Sequence, residues 1–325
     1  MGKSHAPKEI CASSACIRDK RHTVYGDEIE DRATNSGSSS FCASNQTQRF
    51  TVEDLHSIIH IDNMKFTTFS ASSSSERVFS CSWSEAKLLN QTQNTKREML
   101  STFTERHILR CYPAGSRVMS DNFDPSMAWS IGAQMAALNF QANDESIWIN
   151  RGKYLANGAC GFVRKPDYLL NVALHSLVKP VLLLKITVVA CSGWEVFLEK
   201  HKTCVQPDTC ICMSLSGSTL DSKSQMTSVF RSRARNGPCA QPFFNETFNF
   251  RIFEPDLSVL LFTVYDKSAT SENQLLAQSS FPVSLLRTGI RLVPLYDKTG
   301  KYVGEKWRAW ALSISAPRNI LFFLE

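Results

Sequence analysis

The chain has 325 residues, 43% hydrophobic and 20% charged, with a formal net charge of +6. That length and composition suit about two globular domains. So modest a positive balance implies mild attraction to anionic partners, and no nucleic-acid partner is expected. The longest apolar candidate, YLLNVALHSLVKPVLLLKITVVA, is cut by Asn171, His175, Lys179, Pro180 and Lys185, which argues against a membrane span. The 11 cysteines include no C-x-x-C pair, and the N-terminus lacks a basic-then-apolar leader, so reduced thiols in a cytosolic protein are expected. Ala6 stands where myristoylation needs Ser or Thr, which argues against that anchor.

Residues 1–48, with SGSSS and SNQTQ and few large apolar side chains, cannot bury enough surface to offset chain entropy; they predict a disordered tail or linker. From FTVEDLHSIIHI onward apolar residues recur densely, and a folded region is expected over 50–170. Ser82-Trp83-Ser84-Glu85 reads as a capping box opening a helix. REMLSTFTERHIL reads as a second helical piece leading up to Arg110. RCYPAGSRVMSDNFDP then gathers Arg110, Tyr112, Arg117 and the run Ser120-Asp121-Asn122 around one turn, as a strand end and loop that recognise an anionic group would. MAWSIGAQMAALNFQ reads as a short helix running into a buried strand, NGACGF as a turn using Gly158 and Gly161, and Lys165-Pro166 as the close of the unit. Helices alternating with short apolar strands argue for α/β structure. About 120 residues is roughly half of a (β/α)8 barrel.

After Pro180 the apolar period becomes two. VLLLKITVVA, ETFNFRIF, SVLLFTVYD, LAQSSFPVSLL, RLVPLYD and WRAWALSIS are strand-like runs, and Phe248, Phe250 and Ile252 alternate with Thr247, Asn249 and Arg251. Short strands without intervening helices predict an antiparallel β-sandwich over 181–325, with the domain boundary near Asn171 to Pro180. Cys204, Cys210 and Cys212 with His201 match no paired-ligand spacing, so no zinc site is expected there.

Four long motifs, LRCYPAGSRVMSDNFDP, W-x-x-GAQMAALNFQ, NGACGFVRKPDYL and LLRTGIRLVPLYDKTGKY, resemble the C-terminal portion of eukaryotic phosphoinositide-specific phospholipase C. That portion is the Y half of a TIM-type catalytic barrel followed by a C2 domain. GAQM and GIRLVPLYD are most similar to the plant-type branch. The resemblance implies a cytosolic enzyme, peripheral at the plasma membrane, that cleaves phosphatidylinositol 4,5-bisphosphate to diacylglycerol and inositol trisphosphate with Ca2+. In the family the catalytic histidines and the main calcium ligands lie in the X half, upstream. His5 and His22 sit in nothing resembling that motif, so no catalytic residue is carried over.

The resemblance does carry over substrate contacts: Ser82, Arg110 and Tyr112 fall on positions that touch the inositol ring and its phosphates. Arg110 can give paired charge-assisted hydrogen bonds to a phosphate while Tyr112 lays an apolar face on the ring. Ser82 could equally cap its helix, and one hydroxyl could do both. Arg117, Ser120 and Asn122 read as loop architecture; Met119 stands where the family commonly has an acid.

In the C2-like part Asp208 and Asp266 match calcium-ligand positions, although both also suit plain turns. Lys202 in the first loop, with Glu272 or Asn273 in the third, predicts a weak or absent site, since calcium needs six to eight oxygens. Arg231, Arg233 and Arg235 alternate, so on a strand they would share one face toward an anionic membrane surface; a solvated edge strand is the other reading. Two functions follow: the substrate-binding part of a phosphoinositide phospholipase C, or a catalytically inactive lipid-binding module. A half barrel alone exposes apolar strand edges, so a partner chain or segment supplying the X half is expected.

Overall fold

The computed structural model describes residues 58–73, 75, 77–171, 182–191, 206–221, 223–232, 241–267, 274–303 and 310–315. The tail read over 1–48 and most of the 171–180 boundary lie outside the described residues.

The first layer is a parallel sheet of β1 (Asp62–Asn63), β2 (Phe79–Ser84), β3 (Ile108–Tyr112) and β4 (Met135–Ala136), in that order. Parallel neighbours need crossovers, and helices supply them. Around the sheet run α1 (Phe69–Ser73), α2 (Glu85–Asn94), α3 (Arg97–Arg106), α4 (Ser126–Ser130) and α5 (Glu145–Tyr154). Side chains of successive strand residues point to opposite faces. Phe79, Cys81 and Trp83 of β2, with Leu109 and Cys111 of β3, are buried against Leu88, Leu100 and Phe103 of the helices. Trp83 is fully buried, stacks on Phe103 at 5.8 Å and meets Phe66 edge-on at 5.1 Å. Ser82 and Arg110, on the opposite face, are exposed.

The expected capping box is corrected here. Residues Phe79–Ser84 form a strand, and the helix begins at Glu85 with Ser84 as its cap, whose hydroxyl accepts from the Lys87 N–H at 3.3 Å. Ser82 therefore caps nothing. The ladder to β3 and the burial of Phe79, Cys81 and Trp83 outweigh a local capping signal worth about 1 kcal/mol. The buried strand expected in MAWSIGAQMAALNFQ is also corrected: only Met135–Ala136 pairs, and Met135 is exposed.

The second layer pair is an antiparallel sandwich. One sheet runs β10 (Gln274–Pro282), β9 (Val259–Asp266), β6 (Thr209–Ser216), β7 (Lys223–Met226); the other runs β11 (Gly289–Val293), β12 (Trp310–Ser315), β5 (Leu182–Ala190), β8 (Phe243–Ile252). Leu184, Ile186 and Val188 with Phe250 and Ile252 face Ile211, Met213 and Leu215 with Leu260, Phe262 and Val264 across the core. The alternation expected in β8 is present, with Phe250 and Ile252 buried and Asn249 and Arg251 exposed. Strands β6 and β7 carry no label in the sequence reading, where Cys210 and Cys212 drew attention as ligands; in β6 Cys210 packs as a small buried residue.

Strand β9 is apolar on both faces because both are covered. Its Val259 and Leu261 pack outward on Trp148 and Ile149 of α5. Around this contact Ser280 Oγ donates to the Trp148 carbonyl at 2.7 Å, Trp148 Nε1 to the Lys298 carbonyl at 3.0 Å, and Arg97 pairs with both oxygens of Glu254.

Candidate functional site

The parallel register sets Ser82 opposite Arg110 and Ser84 opposite Tyr112, with Arg110 paired to Met135 on its other side. Residues opposite one another in a parallel pair share a face, so Ser82, Arg110 and Tyr112 stand together on the open face, towards the C-terminal ends of their strands. The Arg110 guanidinium carbon lies 5.3 Å from the centre of the Tyr112 ring. Arg110 makes no hydrogen bond or ion pair with a described residue, so its planar fork of donors is available to a ligand. The intervening Cys111 faces the other way into the core. Burial pushes its thiol up to about 12 and that of Cys81 up to about 11, which leaves both unreactive.

Arg117, the second guanidinium of the same stretch, is committed. Its Nε and second terminal nitrogen donate to the two Glu85 oxygens at 2.7 and 2.6 Å, its remaining nitrogen pairs with Asp121, and Glu85 also accepts from the Ala114 N–H at 3.2 Å. The hydrogen bonds from Arg117 hold the Glu85 carboxyl below its ordinary range. Asn122 is equally structural: its amide donates to Asp144 at 3.0 Å and its carbonyl accepts from the Asn139 N–H at 2.6 Å. Ser120 sits at φ 56°, and Met119 is exposed at the loop tip. The loop-architecture reading of Arg117, Ser120 and Asn122 thus agrees with the contacts, while Glu85 is a positioning residue that sequence reasoning took for a capping partner. Gly158 and Gly161 have φ of 66° and 65°, as turn glycines do.

His107, the histidine that precedes β3, is turned away from this face. His107 is buried and stacked on Phe79 at 3.8 Å; Nδ1 accepts from the Phe79 N–H at 3.4 Å and Nε2 donates to the Ser72 carbonyl at 3.1 Å. Desolvation lowers its pKa. His5, His22, His201 and Cys204 lie outside the described residues.

At one end of the sandwich Asp208 and Asp266 are brought to adjacent strand ends, since Thr209 pairs with Asp266 and the Lys267 N–H donates to the Asp208 carbonyl at 2.7 Å. The Asp208 carboxylate accepts from the Ser232 N–H at 2.9 Å and pairs with Arg231 at 3.5 Å. Arg231 lies outside any strand and turns to Asp208, so the shared strand face expected for it is corrected; Arg233 and Arg235 lie outside the described residues, as do Lys202, Glu272 and Asn273. Among the described residues no group of three His, Cys, Asp or Glu side chains could hold a metal ion. Two carboxylates, one already neutralised by an arginine, do not by themselves fit a calcium ion that takes six to eight oxygens.

Comparison with known proteins gives these features a context. Residues 55–168 match the family model "Phosphatidylinositol-specific phospholipase C, Y domain", and residues 183–297 match "C2 domain". The chain is 33% identical over 222 residues to phosphoinositide phospholipase C 6 of Arabidopsis thaliana, covering 66% of this chain and 35% of that protein. It is 35% identical over 214 residues to phosphoinositide phospholipase C 9 of the same plant, covering 63% of this chain and 39% of that one. The chain therefore spans well under half the length of these relatives. Among solved structures, PLC21 of L. pealei has the same fold over 82% of this chain and 34% of its own, with a TM-score of 0.66 at 22% identity.

Proposed function

Because the chain belongs to the phosphoinositide-specific phospholipase C family, carrying its Y domain at 55–168 and a C2 domain at 183–297, we propose that it supplies the headgroup-recognising part of a phosphoinositide phospholipase C. In this reading the parallel sheet is one half of a TIM-type barrel. Its open face, and edge strands β1 and β4 of two residues each, support a second half closing over it. The complete assembly hydrolyses phosphatidylinositol 4,5-bisphosphate to diacylglycerol and a soluble inositol trisphosphate, with catalytic groups from the X half.

Arg110 carries this reading. Of the two guanidiniums in the loop region, Arg117 is held by Glu85 and Asp121, while Arg110 makes no hydrogen bond or ion pair with a described residue and stands beside the Tyr112 ring and Ser82. A phosphate there receives a paired charge-assisted hydrogen bond, the ring packs on Tyr112, and the Ser82 hydroxyl donates to a ring oxygen. Among the described residues no helix is long and apolar enough to cross a membrane. A peripheral encounter with the cytoplasmic face of the plasma membrane, through the C2 domain and the net positive charge, fits such a substrate. Calcium belongs to the family's chemistry, and any such ion in this protein needs ligands beyond Asp208 and Asp266.

The test mixes the chain with a separately produced X half from a relative, on vesicles containing phosphatidylinositol 4,5-bisphosphate, and measures soluble inositol phosphate. Hydrogen bonds to charged groups contribute about 1.5–3 kcal/mol, so Arg110→Met should lower turnover roughly 10- to 100-fold. Turnover unchanged by that substitution would remove the assignment. Headgroup binding without any release would instead leave a binding module.

A further inference from the structure

A second pair of cations lies away from the open sheet face. Lys153, in the last turn of α5, is only 6% exposed; its ammonium donates to the Asp256 carbonyl at 2.5 Å and lies 5.8 Å from the centre of the Trp129 ring. Lys165 donates to the Thr104 carbonyl at 2.8 Å and sits over Gly132, where an added Cβ would come within 3.1 Å of it. Both lysines line one cavity of about 140 Å3, together with Trp129, Gln134, Tyr154 and Arg164. Neither forms an ion pair with a described residue, whereas Arg164 pairs with Asp167 at 2.5 Å.

A buried or half-buried ammonium is costly unless its charge is matched; each of these donates to neutral oxygens, and the nearby carboxylates of Asp256 and Glu105, which attract Lys153 and Lys165 respectively, stand outside ion-pair contact. Each also keeps an N–H donor beyond those used on these oxygens, because an ammonium carries three. Two like charges on one cavity raise the cost further, and an anion with several oxygens offsets both at once. Burial lowers each lysine to about 8, which leaves the larger part charged at neutral pH. The volume, against about 30 Å3 per water, admits a few waters or one tetrahedral ion. It is too small for an inositol polyphosphate. Two ammoniums favour a doubly charged oxyanion over a single carboxylate.

We propose that this cavity, walled by α4, α5 and the 132–134 and 162–166 segments, binds a phosphate-type oxyanion, as the free ion or a small soluble monoester, through Lys153 and Lys165. The site is separate from the Arg110 face and does not depend on the headgroup reading.

Calorimetric titration of the full chain with inorganic phosphate, at constant ionic strength in chloride, tests it. One phosphate per chain is expected, weakened at least tenfold by Lys165→Met and by Lys153→Met, and changed less than twofold by Arg110→Met. Absence of binding, equal binding by Lys165→Met, or loss in Arg110→Met would overturn the assignment. Glycerol 3-phosphate should compete and vesicles containing phosphatidic acid should not; binding through vesicles alone would refute a small soluble ligand. The unmutated chain gives a readout free of folding effects. Phosphate should slow acetylation of Lys165 by acetic anhydride relative to exposed lysines, and equal slowing everywhere would count against the site.

Discussion

Gly152→Ala reverses the sign expected of a helical glycine. In α5 an alanine should gain about 1 kcal/mol from helix propensity. Gly152, however, faces the outer surface of β9 and β10, where a Cβ would meet Ser280 Cβ and Oγ at 2.7 Å and Val259 Cγ1 at 2.8 Å. None of these can give way easily: Ser280 Cβ is fixed to its strand, and Val259 is stiff at χ1. Overpacking of this kind costs about 1–3 kcal/mol. Moving Ser280 also breaks its hydrogen bond to the Trp148 carbonyl, about 1 kcal/mol more. The sum exceeds the propensity gain, so Gly152→Ala should destabilise by about 1–3 kcal/mol. Urea unfolding followed by tryptophan fluorescence reads this directly. A variant as stable as the parent, or more so, would refute the close approach of α5 to the sandwich.

Other consequences are equally direct. The Glu85 carboxyl is held below its ordinary 4.5, so the stability it contributes is present above that pH and lost as pH falls through the folded value; the stability gap between the parent and Glu85→Gln should close as pH falls below 4.5, and a constant gap would contradict the Arg117 clamp. Lys153 is lowered from 10.5 to about 8, so across that window the unfolded chain binds the extra proton and stability rises with pH. In phosphate-free buffer the parent should therefore gain on Lys153→Met over that range, and parallel pH curves would count against a buried ammonium. Arg97→Met leaves Glu254, at 12% exposure, without its bidentate partner. A loss of about 1–2 kcal/mol in urea midpoint analysis is expected, and an unchanged midpoint would mean the pair contributes nothing.

What the sequence made legible is what depends on near neighbours. Phe248, Phe250 and Ile252 announce β8 because a half-covered strand must alternate, and SVLLFTVYD announces a strand without showing that both its faces are covered. The covering element of that second face, Trp148 and Ile149 of α5, lies more than a hundred residues away and leaves no local trace. Ser82 to Glu85 misled for the same reason: the capping signal is local, while the ladder from Ser82 to Arg110 that outweighs it is not. The roles of Glu85, Lys165 and Lys153 rest on partners 32, 61 and 103 residues distant in the chain. Motif resemblance reached Ser82, Arg110 and Tyr112, but it could not tell that Arg117, seven residues after Arg110, is spent on the loop.

The most direct measurement is the affinity of the chain for soluble inositol 1,4,5-trisphosphate, by calorimetry, for the parent and for Arg110→Met. The account predicts binding that weakens at least tenfold in Arg110→Met, because the guanidinium fork is lost while the fold, carried by the opposite face of β3, is kept. Equal affinity in the two proteins would mean that the open face bearing Ser82, Arg110 and Tyr112 does not recognise the phosphorylated headgroup.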